Sequence, residues 1–152
     1  MAVAGLDQAS KFWLLSAMLK LPAEDRAITV TNFFNIVLAM NRGVSFGLFN
    51  DGGARNGLVF SILAAAMISA LIVWLYRCET KLLVAGVGFV IGGAIGNVLD
   101  RLRLGGVVDF LDFHAGTIHF WAFNLADSAI TLGVGLMIVD SLLARLEASN
   151  KN

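Results

Sequence analysis

The sequence predicts an all-α membrane fold of four helices with a small β-rich platform on one side of the bilayer. Of its 152 residues, 58% are hydrophobic and only 14% are charged, whereas ordinary soluble domains are about 45–50% apolar and about 25% charged. A soluble fold of this length has too little interior to bury so much apolar surface. The sequence also contains runs of about 20 apolar residues, the length at which a helix crosses the hydrocarbon core.

Four segments are predicted to cross the membrane within a single integral membrane domain: residues 1–21, 57–76, 82–99 and 123–144. The second, Gly57–Tyr76, contains no charged residue and is the clearest. The fourth carries Asp127 and also Asp140, which lies roughly 20 Å further along the helix and is excluded from the site. The first is the weakest because it carries both Asp7 and Lys11. Only six residues precede Asp7, fewer than the roughly ten that half a bilayer requires, so we expect the natural chain to begin upstream of Met1.

Two further segments, residues 28–41 and 105–121, predict strands rather than spans. Both are rich in β-branched and aromatic residues, and the second can turn back at Ala115 and Gly116. If the four spans alternate in direction, both segments lie on the same side of the membrane. They therefore predict a β-rich platform on that side. The positive-inside rule does not orient the chain, because Lys and Arg residues flank the spans on both sides.

Composition argues against several classes of function. The net charge is zero, so no nucleic-acid partner is indicated. Cys78 is the only cysteine, which excludes an intrachain disulfide and a cysteine-based metal cluster. No glycine-rich phosphate-binding motif occurs. Instead, Gly88, Gly92 and Gly96 recur every four residues in the third span and predict close helix packing.

Ionisable residues inside membrane spans are costly, and they usually mark a functional site. In this sequence they form an i,i+4 pair in the first span, a pair at the end of the third span, two carboxylates in the platform and one at the start of the fourth span. These residues are Asp7 and Lys11, Asp100 and Arg101, Asp109 and Asp112, and Asp127.

Each of these groups also has a purely structural interpretation. The first-span pair suits a structural ion pair, and the pair that ends the third span suits a helix end at the membrane interface. Asn124 suits the N-cap of the fourth helix, with Asp127 in its first turn, where a carboxylate favours the helix dipole. We interpret Asp112 as a solvated residue of the platform, because an aspartate is rarely buried without a partner.

Three carboxylates, those of Asp100, Asp109 and Asp127, fall at one membrane face between the end of the third span and the start of the fourth. Arg101 can neutralise one of them. If two others share a proton, they resemble the pair of an aspartic protease. In such a pair one carboxylate activates a water molecule and the other donates a proton.

Three other functions are open on these residues. Ser128 with His114 or His119 could form a serine hydrolase site, although the geometry would have to be assembled across the platform. A metal site could combine the same histidines with Asp109 and Asp112, but the spacing matches no known metal motif. A small transporter or channel could use the charged residues of the first and third spans as an Asp/Lys/Arg relay.

Five segments of the sequence together resemble the signal peptidase II family of lipoprotein signal peptidases, and the resemblance covers almost the whole chain. In chain order they are DQASK at 7–11, NRGVSF at 41–46, GGAIGNVLDR at 92–101, VVDF at 107–110 and FNLADS at 123–128. Each segment alone is a weak pattern, but five in this order are specific. Val44 and Ser45 depart from the family, in which alanines usually follow the loop glycine.

The resemblance implies a bacterial inner-membrane enzyme with four transmembrane helices and both termini in the cytoplasm. A small extracytoplasmic β-cradle and a short interfacial helix would lie at the outer face. The implied activity is that of an aspartic endopeptidase that removes signal peptides from diacylglyceryl-modified prolipoproteins, cutting just before the lipidated cysteine. The implied partners are these substrates, membrane phospholipid and inhibitors of the globomycin type, and no cofactor or metal is implied.

The resemblance also implies roles for individual residues. Asp109 and Asp127 match the catalytic pair of the family. The supporting positions match Asp7, Lys11, Asn41, Gly43, Asn97, Asp100, Arg101 and Asn124.

Overall fold

A computed structural model describes residues 2–22, 26–43 and 53–150 of the chain. It contains four helices and four strands in the order α1, β1, β2, α2, α3, β3, β4, α4. The helices are α1 (Ala2–Met18), α2 (Gly53–Leu75), α3 (Lys81–Leu104) and α4 (Leu125–Ser149). The strands are β1 (Ala27–Thr31), β2 (Phe34–Asn41), β3 (Val107–Ala115) and β4 (Ile118–His119). Within the described residues the helices are these four long ones, so the short interfacial helix implied by the resemblance is not among them.

Three of the described helices are long and apolar enough to cross a membrane, over Leu58–Leu75, Lys81–Leu104 and Leu125–Ser149. These correspond to the second, third and fourth predicted spans. The first helix, α1, is not one of the three, so a fourth span stays a prediction. The third helix continues beyond the predicted end at Leu99 to Leu104. It is capped by Gly105, whose φ of 73° suits glycine and whose N–H donates to the carbonyl of Arg101.

The third helix lies at the centre of the helix bundle because its glycines allow two neighbours to approach closely. A Cβ atom at Gly86 would lie 2.8 Å from the carbonyl oxygen of Gly133 in α4. A Cβ atom at Gly92 would lie 2.7 Å from the Cβ of Val3 in α1. The predicted ridge is wrong at Gly88, where a Cβ atom would meet no atom of the described residues within 4 Å.

The predicted platform is a four-stranded antiparallel sheet in the order β1-β2-β3-β4. Asn35 pairs with Asp112 between β2 and β3, and an irregularity in β2 shifts the register before Ala39 pairs with Asp109. The predicted turn follows Ala115, where Gly116 has a φ of 61°, and β4 then returns antiparallel to β3.

The sheet is fixed to the helices through the hydrophobic core beneath β3. Leu14 and Met18, from the last turns of α1, pack with Val108 and Phe110 of β3. Because side chains alternate along a strand, Val108 and Phe110 share one face and Asp109 points to the other. This packing therefore determines where the carboxylate of Asp109 lies relative to the helices.

Candidate active site

A cleft of about 870 Å³ lies between the three apolar helices and the sheet, and both Asp109 and Asp127 line it. One wall is formed by the segment Phe120–Phe123, which joins β4 to α4. Apolar side chains form much of the rest. The cleft is lined by Asn41, Ala64, Met67, Ala94, Asn97, Arg101, Val107, Asp109, Phe120, Trp121, Ala122, Phe123, Asp127, Ser128, Ile130, Thr131 and Leu132.

Asp109, on β3, is only 3% exposed. Asn41 of β2 donates a hydrogen bond from Nδ2 to its Oδ2 at 3.1 Å, and Asn124 donates from Nδ2 to its Oδ1 at 2.7 Å. Burial, and after it the neighbouring charge of Asp127, raise the pKa of Asp109 to about 7. The side chain is therefore near the midpoint of its titration at neutral pH, as a group that exchanges protons with a substrate requires.

Asp127 lies in the first turn of α4 and completes a capping box with Asn124. The Oδ1 of Asn124 accepts the backbone N–H of Asp127 at 3.0 Å, and the Oδ2 of Asp127 accepts the backbone N–H of Asn124 at 3.3 Å. Its Oδ1 accepts a hydrogen bond from Nδ2 of Asn97 at 2.8 Å. The interpretation of Asp127 as a capping residue and its placement in the site are compatible, because the same carboxylate caps the helix and lines the cleft.

Asn124 connects the two carboxylates. It is fully buried, and its Nδ2 lies within hydrogen-bond distance of Asp109, of Asn97 Oδ1 at 3.2 Å and of the Val108 carbonyl at 3.3 Å. Its side-chain oxygen and its backbone N–H bind Asp127. A single amide therefore fixes the start of α4 against β3, and with it the relative positions of the two aspartates.

A buried charge network supports the site from behind. The Nζ of Lys11 lies 2.8 Å from carboxylate oxygens of both Asp7 and Asp100, and 3.2 Å from Oδ1 of Asn97. Both carboxylates accept a backbone N–H as well: that of Ala126 donates to Oδ1 of Asp7, and that of Val108 donates to Oδ2 of Asp100, the oxygen that also binds Lys11. A buried ion pair requires such additional hydrogen bonds to offset the cost of removing its charges from water. The network ties α1 and α3 to the chain on either side of the catalytic candidates.

Arg101 lies within electrostatic range of the carboxylates of the site, but its close contacts are with other groups. The ammonium of Lys11 neutralises Asp100, and among the described residues no carboxylate lies within ion-pair distance of Arg101. Its Nη2 donates to the carbonyl of Gly43 at 3.1 Å, and its guanidinium lies 5.9 Å from the ring centroid of Phe60. The N–H of Gly43 in turn donates to Oδ1 of Asn41 at 3.0 Å. Residues 44–46 of the loop motif lie outside the described residues.

Comparison with known proteins identifies the family. Residues 1–143 match the sequence model of the family described as "Signal peptidase (SPase) II". The chain belongs to the signal peptidase II family. Family membership indicates a peptidase, and together with the three apolar helices it indicates a membrane protein.

The relatives of this chain agree with that assignment. A protein of Rhodopseudomonas palustris (strain TIE-1) described as "Lipoprotein signal peptidase" is 45% identical over 142 residues, covering 91% of this chain and 85% of its own. One of Azoarcus sp. (strain BH72) is 46% identical over 144 residues, covering 94% and 80%. A bacterial membrane enzyme solved by the in meso method at 2.3 Å resolution superposes with a TM-score of 0.78 at 28% identity, covering 99% of this chain and 87% of that one.

The interpretation of Asp112 as a solvated residue is wrong. Asp112 is 6% exposed, and its Oδ2 accepts hydrogen bonds from Nδ2 of Asn35 and from Nδ1 of His119, each at 2.9 Å. Burial by itself raises the pKa of Asp112, but the hydrogen bonds from Asn35 and His119 outweigh it and lower the pKa below its usual value. The side chain lies away from the cleft, on the opposite face of β3 from Asp109, as the alternation along a strand requires.

Two further findings concern ligands and residues outside the expected set. In the part of the chain that the structure describes, no group of three or more His, Cys, Asp and Glu side chains is placed to hold a metal ion. Gln8, which was not expected in the site, donates from Nε2 to Oδ1 of Asp100 at 2.8 Å and to the carbonyl of Gly96 at 3.2 Å. Its place beside Asp7 in the DQASK segment of the first predicted span was the available signal.

Proposed function

We propose that this protein is an aspartic endopeptidase that removes signal peptides from diacylglyceryl-modified prolipoproteins, cutting just before the lipidated cysteine. The observation that carries the proposal is the convergence of Asp109 and Asp127 on one cleft, with Asn124 bonded to both. The family name supports the substrate class, and the pair of buried carboxylates supports the aspartic mechanism.

The chemistry requires one proton shared by the two carboxylates. The ionised carboxylate takes a proton from a water molecule while the water oxygen attacks the carbonyl carbon of the scissile peptide. The other carboxylate protonates the carbonyl oxygen. The tetrahedral intermediate then collapses and the C–N bond breaks. The first aspartate gives the proton that it took from water to the leaving amine nitrogen, and a hydroxyl of the intermediate returns a proton to the second aspartate, which restores the starting state of the pair. The pKa of about 7 for Asp109 supports this scheme because it keeps a proton available near neutral pH.

The other polar residues of the site would position the pair and the substrate. The Nε of Arg101 is buried and has no hydrogen-bond partner among the described residues, so it is available to bind a substrate carbonyl oxygen in the cleft. Asn97 bridges Lys11 and Asp127, because its Oδ1 accepts a hydrogen bond from Lys11 and its Nδ2 donates one to Asp127. The position of Asp127 therefore depends on Lys11. The roles of Asp7 and Asp100 would be to hold Lys11, and those of Asn41 and Gly43 to hold Asp109 and Arg101.

The location of the cleft suits a lipidated substrate. Ala64 and Met67 of α2 and Ile130 and Leu132 of α4 give it apolar walls, and both helices are long enough to cross the bilayer. The diacylglyceryl chains can then stay among lipid tails, where burial is worth about 0.8 kcal/mol per CH₂ group. We further propose that α1 is a fourth span, that both termini are cytoplasmic in the bacterial inner membrane, and that the cleft faces the extracytoplasmic side. No cofactor is required, and a globomycin-type cyclic peptide would inhibit by occupying the cleft.

The test is incubation of the purified protein with a diacylglyceryl-modified prolipoprotein and, separately, with the same chain unlipidated. Mass spectrometry of the products locates the cut. We expect cleavage of the lipidated chain alone, with the modified cysteine as the new N-terminus. Equal cleavage of both chains would exclude the proposed lipid requirement, and the absence of cleavage of either would exclude the proposed function.

A further inference from the structure

A second polar cluster lies on the sheet outside the cleft. Its centre is the buried carboxylate of Asp112, which accepts from Asn35 on one neighbouring strand and from His119 on the other. His119 is half exposed, with 53% of its side chain accessible, and its ring stacks on that of His114 at a centroid distance of 4.9 Å. A charged group this well buried is kept only where its hydrogen bonds are made. This cluster therefore constrains β2, β3 and β4 together.

The cluster is directly connected to the wall of the cleft. His119 is the last residue of β4, and the next four residues, Phe120–Phe123, all line the cleft. The backbone of this segment is attached to β3 at its two ends. The N–H of Phe120 donates to the carbonyl of Phe113 at 2.7 Å, and the N–H of Phe123 donates to the carbonyl of Leu111 at 3.0 Å. The carbonyl of Phe123 also accepts the N–H groups of Phe110 and Leu111, so the Phe123 end is held by three backbone hydrogen bonds. At the Phe120 end the strand β4 is only two residues long, and the sheet contributes few further restraints there.

We propose that Asp112 and His119 form a latch that positions the segment Phe120–Phe123 as the substrate-binding wall of the cleft. Neither side chain is among the described residues that line the cleft, so both are positioning residues. The hydrogen bond from His119 to the charged Asp112 holds β4 on β3 at the point where the chain leaves the sheet. With the latch open, the segment loses its fixed position while Asp109 and Asp127, held by Asn124, keep theirs. The latch therefore acts on substrate binding and not on the chemical step, a consequence that rests on the proposed function.

The variants distinguish the hydrogen bond that His119 donates to Asp112 from the stacking of the His119 ring on His114. His119→Phe keeps an aromatic ring that can stack on His114 but removes the donor to Asp112. His119→Asn places an amide N–H near the position of Nδ1 and should restore the bond. Asp112→Asn removes the charge of the acceptor, and the double variant Asp112→Asn with His119→Phe tests whether the two act as one unit. Glu147→Gln, at an exposed carboxylate in the last turns of α4, is the matched control for loss of a carboxylate charge.

The first readout is amide hydrogen exchange over residues 120–123, measured by mass spectrometry on the full-length protein in detergent at one pH. Exchange does not depend on activity, so it decides the latch even if the protein fails to cleave the proposed substrate. We expect exchange to become faster by about tenfold in His119→Phe and Asp112→Asn. The double variant should be no faster than the quicker single variant. The variants His119→Asn and Glu147→Gln should match the wild type.

The second readout is steady-state cleavage of lipidated prolipoprotein. We expect His119→Phe to raise KM by about tenfold and to leave kcat within about twofold of the wild type, with KM restored in His119→Asn. Unchanged exchange in His119→Phe would overturn the latch. Faster exchange with unchanged KM, or a loss of kcat in place of a rise in KM, would overturn its role in positioning the wall. Absence of cleavage by the wild type would overturn the proposed function, and the exchange pattern alone would then decide the latch.

Discussion

Asp109→Asn removes the charge of this carboxylate while keeping its shape, and its effect on stability follows from the site. The pKa of Asp109 is raised from its ordinary value of 3.8 to about 7 in the folded protein. The unfolded chain therefore loses this proton at a lower pH, and the wild-type protein loses stability as the pH rises from about 4 to about 7. At about 1.36 kcal/mol per pKa unit the full loss is about 4 kcal/mol, of which about 2–3 kcal/mol falls between about pH 5 and about pH 8.

The variant has no such charge to bury, but it cannot accept two hydrogen bonds as the carboxylate does. One of the donors, Asn41 or Asn124, would face the new amide N–H, which costs about 1–3 kcal/mol at any pH. We therefore expect the stability of Asp109→Asn relative to the wild type to increase by about 2–3 kcal/mol between about pH 5 and about pH 8. The variant should be inactive throughout.

The assay is unfolding of both proteins in the same detergent at the two pH values, with cleavage measured on the same preparations. Glu147→Gln is the control, because its exposed carboxylate should give no such trend. A stability difference that stays constant with pH would refute the raised pKa of Asp109. Retained cleavage by Asp109→Asn would refute its catalytic role.

Three further substitutions distinguish residues that cap or pack helices from residues that the reaction needs. For each variant the free energy of unfolding and the initial rate of cleavage are measured. Asn124→Ala removes the cap of α4 and a donor to Asp109, so it should cost about 1–2 kcal/mol of stability and most of the turnover. Thr80→Ala removes the N-cap of α3 and should cost about 1 kcal/mol without changing turnover; equal loss of turnover in both variants would contradict the special role of Asn124. Gly96→Ala would place a methyl group 2.5 Å from Oδ2 of Asp7, so it should displace α1 and lower both stability and turnover, and wild-type values would contradict this packing.

Hydropathy and topology were sufficient to predict three of the four proposed spans and the convergence of Asp109 and Asp127 on one cleft. A helix that crosses the bilayer requires a long apolar run, and such a run is visible in the sequence without knowledge of which elements pack against it. The two aspartates flank a short excursion that leaves α3 through β3 and returns at α4. Topology alone therefore brings them to the same face. The dual use of Asp127 as cap and cleft residue also follows from local sequence, since its capping partner is three residues away.

Contacts between distant elements could not be predicted from the sequence. Asp112 is buried because Asn35, which precedes it by 77 residues, reaches it through the register of β2 on β3. Lys11 finds Asp100 across the interface of α1 and α3, which left Arg101 free for the carbonyl of Gly43. Neither pairing leaves a local pattern, because each depends on how the elements pack.

The most direct test of the central claim is single-turnover cleavage of a diacylglyceryl-modified prolipoprotein by Asp109→Asn, by Asp127→Asn and by the double variant. All three proteins should first be shown to unfold cooperatively in detergent. If the two carboxylates act as a pair, each single substitution should lower the rate by about 10³-fold or more, and the double substitution should cost no more than either single one. Turnover near the wild-type rate by either single variant, or a double variant whose loss is the product of the two single losses, would contradict a catalytic pair at Asp109 and Asp127.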